Sequence, residues 1–595
     1  MAGADDKLIL PGPDPSDLHA TTVEMSEARE DDTSEDAEDQ AEPQPLAAVA
    51  PGLALTPIDA PGQSPIEALA GAPAPDRKPL TVIDKLNKIA VENLEAGDYQ
   101  RALDALRRVL NLMPDSPAAH GNLALALWRN KSAPQAEIHC RRALALDRGY
   151  VAAHRILAEL LRERNAPDAL AAYDQLLTLD PASFMTHNNR GLLLNKLGRR
   201  RDADASFARA LEIVPDNPHV RFNQLMVQPD GDLAEARDCC LRALAERPDN
   251  PDIMTNLAIV LQFAGRYDEA RAQYERVLSI VPDHLSALFN LSLLLLLQGE
   301  YPRGWTAYES RWRLPEMQKQ RVAATQWQGE DLHGKTILLH AEQGHGDTIL
   351  ALRYIPAILA RGARVALRIE RPLVRLAASL PGDLIITPTK ASSPAFDVWS
   401  PLLDLPRILD TRIEAIPADV PYLHVRPAIA ERWRQRLSHS AGLKVGLVWA
   451  GSPSHVNDFR RSIELERLKP LLDVNGTSFV SLQVGPRAAD ASNQPGAITD
   501  ISAALTDFAE TAGAILNLDL VIAVDTAVVH LAGALDRPAW VMLPFSPDWR
   551  WLLDRDDSPW YPALRLYRQP QPGDWSSVIT RVAADLRARV ARGGA

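Results

Sequence analysis

The stretch Val521-Ile522-Ala523-Val524-Asp525-Thr526-Ala527-Val528-Val529-His530 passes from an apolar strand pattern into small polar residues, then into a helical pattern. A buried strand opening into a helix N-terminus is where α/β proteins hold anions, above all phosphate, because free N–H groups and the helix dipole face the ligand. Asp525 and Thr526 put a carboxylate and a hydroxyl at that point, and His530 can reach the same face. The same residues also fit a capped helix start with a satisfied histidine, so support must come from elsewhere. A second polar break is Glu342-Gln343-Gly344-His345-Gly346-Asp347-Thr348. Gly344 and Gly346 permit a tight turn and close ligand approach, and Asp347 falls at a helix start. The loop lacks the third glycine of a dinucleotide fingerprint and the lysine of a P-loop, and Asp347 also fits a plain N-cap.

Placing these groups needs alternating strands and helices, and residues 330–595 supply them. Segments 336–341, 363–369, 384–387 and 396–400 read as short strands, with a helix between the glycine loop and Ala360. A helix at 428–437 leads to strands at 444–449, 478–483, 520–524 and 540–543, and a helix at 576–590 is expected to pack back on the first set. Such alternation predicts parallel sheets. It implies two doubly wound lobes, 330–427 and 440–595, whose intervening cleft holds two substrates on opposite walls. Gln483 falls at a strand end. The Trp549–Trp551 pair reads as core, and Asp554-Arg555-Asp556 as helix-surface charge.

Residues 81–315 carry a period of 34, occasionally 33. Small residues recur at Ala90, Ala124, Ala158, Gly191 and Ala258, and again at Ala102, Ala136, Ala203 and Ala270. Glycines at 97, 198, 265 and 299 mark turns, and prolines at 114, 181, 215, 248 and 282 mark unit ends. Helix, turn, helix and proline at this period resembles the tetratricopeptide repeat, six or seven units long. Asn122, Asn189, Asn223, Asn256 and Asn290 share one phase near the sixth residue of each first helix. Asn is a mediocre helix former, and its amide can pair with the backbone of an extended peptide. The ladder resembles that of the O-linked N-acetylglucosamine transferases, which implies a groove for a protein acceptor. A ladder that stabilises the helices is the alternative. Eleven of the 12 tryptophans lie at or after Trp305, so composition shifts there and a rigid joint is expected.

The formal charge is −13, yet residues 1–50 hold 14 acidic and 2 basic residues, which leaves the rest near −1. That balance argues against nucleic-acid binding. Residues 1–80 contain 12 prolines and read as a disordered acidic tail. Cys140, Cys239 and Cys240 lack pairing or metal spacing and read as buried thiols. No signal peptide opens the chain, and no apolar run approaches a membrane span. A soluble cytoplasmic protein is expected.

Residues 335–595 resemble the heptosyltransferase-related glycosyltransferases, family 9. Gly344-His345-Gly346-Asp347 matches that family's glycine-Asp loop, with His345 where leucine is usual. Asp525-Thr526-Ala527 with His530 matches its donor-phosphate motif, with Ala527 where glycine is usual. Trp449-Ala450-Gly451-Ser452, Asp458-Phe459-Arg460-Arg461-Ser462 and Pro544-Phe545-Ser546-Pro547-Asp548-Trp549-Arg550-Trp551 look like the variant fused to tetratricopeptide repeats, which includes bacterial flagellin glycosyltransferases. The resemblance implies an α-solenoid followed by a two-lobed α/β domain of the GT-B, double Rossmann-like class. It implies metal-independent transfer of a sugar to Ser or Thr of a protein held by the repeats, with flagellin the favoured acceptor. The donor is a nucleotide-sugar, with a CMP-linked nonulosonic acid among the candidates, and no cofactor or metal is expected. Asp347 is the candidate base and His345 the second choice, since histidine titrates near neutrality. Arg460 or Arg461 would steady the leaving phosphate, Asp525, Thr526 and His530 would orient the donor, and Gln483 would contact base or ribose. A decayed, non-catalytic scaffold and a lipopolysaccharide or capsule transferase are the rival readings.

Overall fold

The computed structural model describes residues 82–593 except 164–167, 229–230, 418, 454, 456 and 495. The reading of residues 1–80 lies outside them. Seven helix pairs run from Val82–Glu95 with Tyr99–Leu112 to Leu285–Leu297 with Tyr301–Tyr308. The small residues at both repeat phases are buried at the helix contacts. Gly191 demonstrates why: a Cβ there would lie 2.6 Å from the Phe207 ring, which fills the space. The turn glycines 97, 198, 265 and 299 all have φ between 74° and 81°, where glycine is unstrained. Lys131 occupies the same turn phase at φ 57°. Cys140, Cys239 and Cys240 are buried thiols, and burial pushes Cys140 up to about 12.

Ten strands follow: β1 Thr336–His340, β2 Arg364–Ile369, β3 Leu384–Pro388, β4 Val398–Pro401, β5 Leu443–Val448, β6 Thr477–Ser481, β7 Ile498–Asp500, β8 Leu520–Val524, β9 Ala539–Leu543 and β10 Leu564–Arg568. They form a four-stranded sheet, β3-β2-β1-β4, and a six-stranded sheet, β10-β9-β8-β5-β6-β7. Among the described residues every strand pairing within the two sheets is parallel. In the second sheet the order reverses between β5 and β8. That reversal opens a crevice beyond the C-terminal ends of both strands. The strands β7 and β10 were not expected from sequence. The last helix, Trp575–Ala591, packs with second-sheet residues such as Leu443 and Val445 rather than back on the first sheet. Asp554-Arg555-Asp556 lies in an irregular turn, with Asp554 at φ 51°, and not on a helix. Among the described residues no helix is long and apolar enough to cross a membrane.

The final repeats are welded to the sheets. Trp305 meets Trp549 edge-on at 5.0 Å, and Trp560 Nε1 donates to Tyr301 Oη at 3.1 Å. Arg311, from the turn after the last repeat helix, is buried between Glu342 at 2.6 Å and Asp404 at 2.5 Å. Gln343 Nε2 donates to Tyr308 Oη at 2.7 Å. Both residues preceding Gly344 are therefore anchored to the end of the array.

Candidate functional site

The loop after β5 sits at the reversal point. Gln483 shapes it: its Oε1 accepts the Trp449 and Ala450 N–H groups at 3.1 and 2.9 Å, and its Nε2 donates to the Ala450 and Val484 carbonyls at 3.0 and 3.1 Å. The amide is fully engaged with backbone, so it positions the loop and has no free donor for a base or ribose. Next comes Gly451. A Cβ there would lie 2.4 Å from Asp458 Oδ1 and 2.6 Å from Arg461 Nη2, so only glycine lets Arg461 fold over this backbone. Arg461 is held by Asp458 at 3.3 Å, and Ser462 Oγ links Asp458 to the Gly451 N–H.

Across the reversal point, β8 ends at Asp525-Thr526. Thr526 is the N-cap residue of the helix Ala527–Ala534 with no side-chain cap bond, and its buried Oγ1 has no partner among the described residues. Arg460, Arg461 and Asp525 line one cavity of about 90 Å³, together with Asp548 and with Gln262 and Phe263 of the repeats. Burial raises the Asp525 pKa, opposed by Arg461. Asp548 is pushed up to about 8 by burial and by the Asp525 charge, against a backbone hydrogen bond from Arg550. Two neighbouring, largely buried carboxyls cannot both ionise readily. Asp548 stands in the quoted aromatic motif, but nothing in its spacing marked it as chemical. Burial beside a second carboxyl is the signal, and it is tertiary.

The structure keeps Asp347 out of this cavity. The residue occupies the third position of helix His345–Ala351, not the N-cap, and its Oδ2 accepts the Gly344 N–H at 2.9 Å. Its Oδ1 is ion-paired with Arg550, which also donates to Asp548 at 2.6 Å. Asp347 thus reaches the cavity only through Arg550. Gly344 and Gly346 have ordinary negative φ. At Gly346 the close approach is to protein: a Cβ would lie 2.8 Å from His530 Cδ2. His530 itself is stacked on Trp551 at 5.4 Å with its Nδ1 3.1 Å from Tyr561 Oη. Burial, with Arg353 and Arg461, lowers it to about 3, so it is neutral packing between the sheets rather than a donor contact. His345 leans on Phe508 at 5.1 Å, and burial lowers its pKa. The expected cleft between the two lobes is therefore closed at Gly346. The charged cavity opens instead toward the repeats, into a cleft of about 900 Å³ between them and the second sheet.

The asparagine ladder turns inward. Asn223 is 3% exposed, and Asn256 and Asn290 are 0% exposed. Asn223 Nδ2 donates to Asn188 at 2.9 Å, Asn188 to Asn189 at 3.2 Å, and Asn189 to Glu159 at 2.8 Å. Asn122 is half-buried. The shared phase is real, but Asn189 and Asn223 use it to link neighbouring units, and Asn223, Asn256 and Asn290 are buried and face no open groove. The reason lies in the array's end. Helices Pro251–Phe263 and Leu285–Leu297 are buried almost all round, in one apolar cluster that runs from the repeats into the α/β part.

Tetratricopeptide repeat models match residues 88–151, 155–218, 188–251 and 230–295. Protein FlbA of Caulobacter vibrioides is 27% identical over 538 residues, 84% of this chain and 83% of that protein. A tetratricopeptide repeat protein from Parabacteroides merdae is 20% identical, covering 39% of this chain and 93% of its own, at TM-score 0.34. YrrB, described as a TPR protein with an unusual peptide-binding site, is 20% identical over 31% of this chain and 97% of its own, at TM-score 0.25. The N-terminal half of the described chain is a tetratricopeptide-repeat solenoid, and parallel-sheet α/β elements follow it.

Proposed function

We propose that the chain is a GT-B-type glycosyltransferase that moves a sugar from a nucleotide-sugar to a protein hydroxyl. The observation that carries this reading is the cavity at the strand-order reversal, lined by Arg460, Arg461, Asp525 and Asp548. Two guanidiniums suit a leaving phosphate. In this reading Asp548 takes the base role expected of Asp347. It removes the acceptor hydroxyl proton, the oxygen attacks the anomeric carbon, and the nucleotide leaves with the bonding pair onto phosphate held by Arg460 and Arg461. Asp347 acts through Arg550, holding the guanidinium beside Asp548. The acceptor is a protein, with flagellin favoured by the likeness of the α/β motifs. Its route to the cavity is the wide cleft beside the repeats, because the ladder face is closed.

The test is donor turnover by the purified full chain, read as nucleotide release from CMP- and UDP-linked sugars with acceptor protein present. Release that Asp548→Asn abolishes supports the reading. Absence of release with every donor, acceptor present, removes it.

A further inference from the structure

The passage between cavity and cleft is flanked by two arginines from different parts of the chain. Arg200 begins the repeat helix Arg200–Ile213, while Phe459 and Arg460 lie on the short helix Asp458–Arg461 after β5. The Arg200 guanidinium carbon is 3.4 Å from the Phe459 ring centre. That of Arg460 is 4.8 Å from the same ring and 4.1 Å from the ring of Phe263. Arginine, phenyl, arginine and phenyl thus alternate, the outer two from the repeats and the inner two from the α/β part. Both arginines line the cleft, and Arg460 also lines the cavity.

Neither arginine is ion-paired among the described residues. The Nε of each is buried without an acceptor. Arg200 gives one N–H to the Val227 carbonyl, and the Arg460 guanidinium donates to nothing among the described residues. Two other arginines of the cleft are ion-paired, Arg199 with Asp202 at 2.7 Å and Arg487 with Glu464 and Asp490 at 2.6 Å each. Burial lowers both Arg200 and Arg460 to about 10, and Arg200 adds like-charge repulsion on Arg460. Ring contacts serve the faces of these cations and leave in-plane N–H groups of both without a protein acceptor. Planar forks match phosphate oxygens in pairs.

We infer that Arg200 and Arg460 together bind the phosphate of a nucleotide, so that the repeat array contributes a ligand-binding residue to the donor site. The anion site stands on the geometry alone; its assignment to a sugar donor rests on the transferase reading. A cleft of about 900 Å³ has room for a nucleotide.

The test is calorimetric titration of the full chain with CMP, UDP and inorganic pyrophosphate, for the wild type, Arg200→Gln, Arg460→Gln and Arg200→Lys, with Tm measured alongside. The expected result is binding to the wild type that each Gln variant weakens roughly ten- to a hundred-fold, the size of a charge-assisted hydrogen bond. Arg200→Lys, which keeps charge and loses the fork, should fall between. Tighter binding of a nucleotide than of pyrophosphate identifies the nucleotide as the ligand; equal binding identifies phosphate alone. Wild-type affinity in Arg200→Gln, or no binding by the wild type, overturns the shared site. Loss in Arg460→Gln alone overturns it too, yet leaves the transferase reading standing. Arg200-dependent binding without any donor turnover keeps the site and removes the transferase.

Discussion

Arg550 and Asp347 form a buried ion pair across the junction of the two sheets, and the same guanidinium holds Asp548 at 2.6 Å. The glycine-loop carboxylate and the cavity carboxyl therefore share one cation. Removing either carboxyl changes the charge felt by the other, and the two variants should differ in kind.

Asp548→Asn should lower turnover by about 10²–10⁴-fold, the range for a lost general base. Because Asp548 is pushed up to about 8, wild-type turnover should climb as pH rises toward that value, since the base works ionised. The stability trend has the opposite sign. A folded pKa above the unfolded one means that the native state binds the extra proton, so stability is fullest below the unfolded carboxyl pKa and falls as pH rises through about 8. Asp548→Asn should flatten that fall in urea titrations run from pH 5 to 9.

Asp347→Ala should cost about 1–3 kcal/mol, because it removes the Gly344 cap and one partner of buried Arg550. Its turnover loss should be smaller than that of Asp548→Asn. A near-complete loss in Asp347→Ala with an active Asp548→Asn would return the base role to Asp347.

Asn223→Ala should destabilise the array by about 1–3 kcal/mol through loss of its bond to Asn188, and Asn256→Ala by a similar amount because its amide is fully buried. Denaturant midpoints measure this. Acceptor capture at temperatures where the variants remain folded should match the wild type, because these amides face no groove.

Arg311→Ala should leave Glu342 and Asp404 buried without their cation, at a cost of about 3–5 kcal/mol. Glu342 is already raised to about 7 by burial against the pull of Arg311, and it should protonate in the variant. Calorimetry should resolve two transitions, since repeats and sheets lose their shared anchor. One sharp transition at the wild-type temperature would show that the joint lies elsewhere.

The fold was legible where local pattern is strong. The repeat phase survives because each unit needs the same small residues and turn glycines, and continuous Val, Ile and Leu runs such as 520–524 mark doubly covered strands. The strand β7 has three residues, and β10 alternates Leu and Arg, so neither gives a long apolar run. At the site, Asp525, Arg460 and Arg461 were legible as polar residues beside strand ends. Asp548 was not, because its chemistry comes from burial next to Asp525. The ladder misled for a related reason: periodicity fixes which residues share a face, and docking of the sheets decides whether that face meets solvent.

Sugar transfer at the Asp548 cavity is tested by the intact mass of flagellin from cells whose only copy of this chain is wild type or Asp548→Asn. A sugar increment is expected with the wild type and should be missing with the variant while the variant protein persists at normal level. Equal flagellin masses in both strains would contradict it.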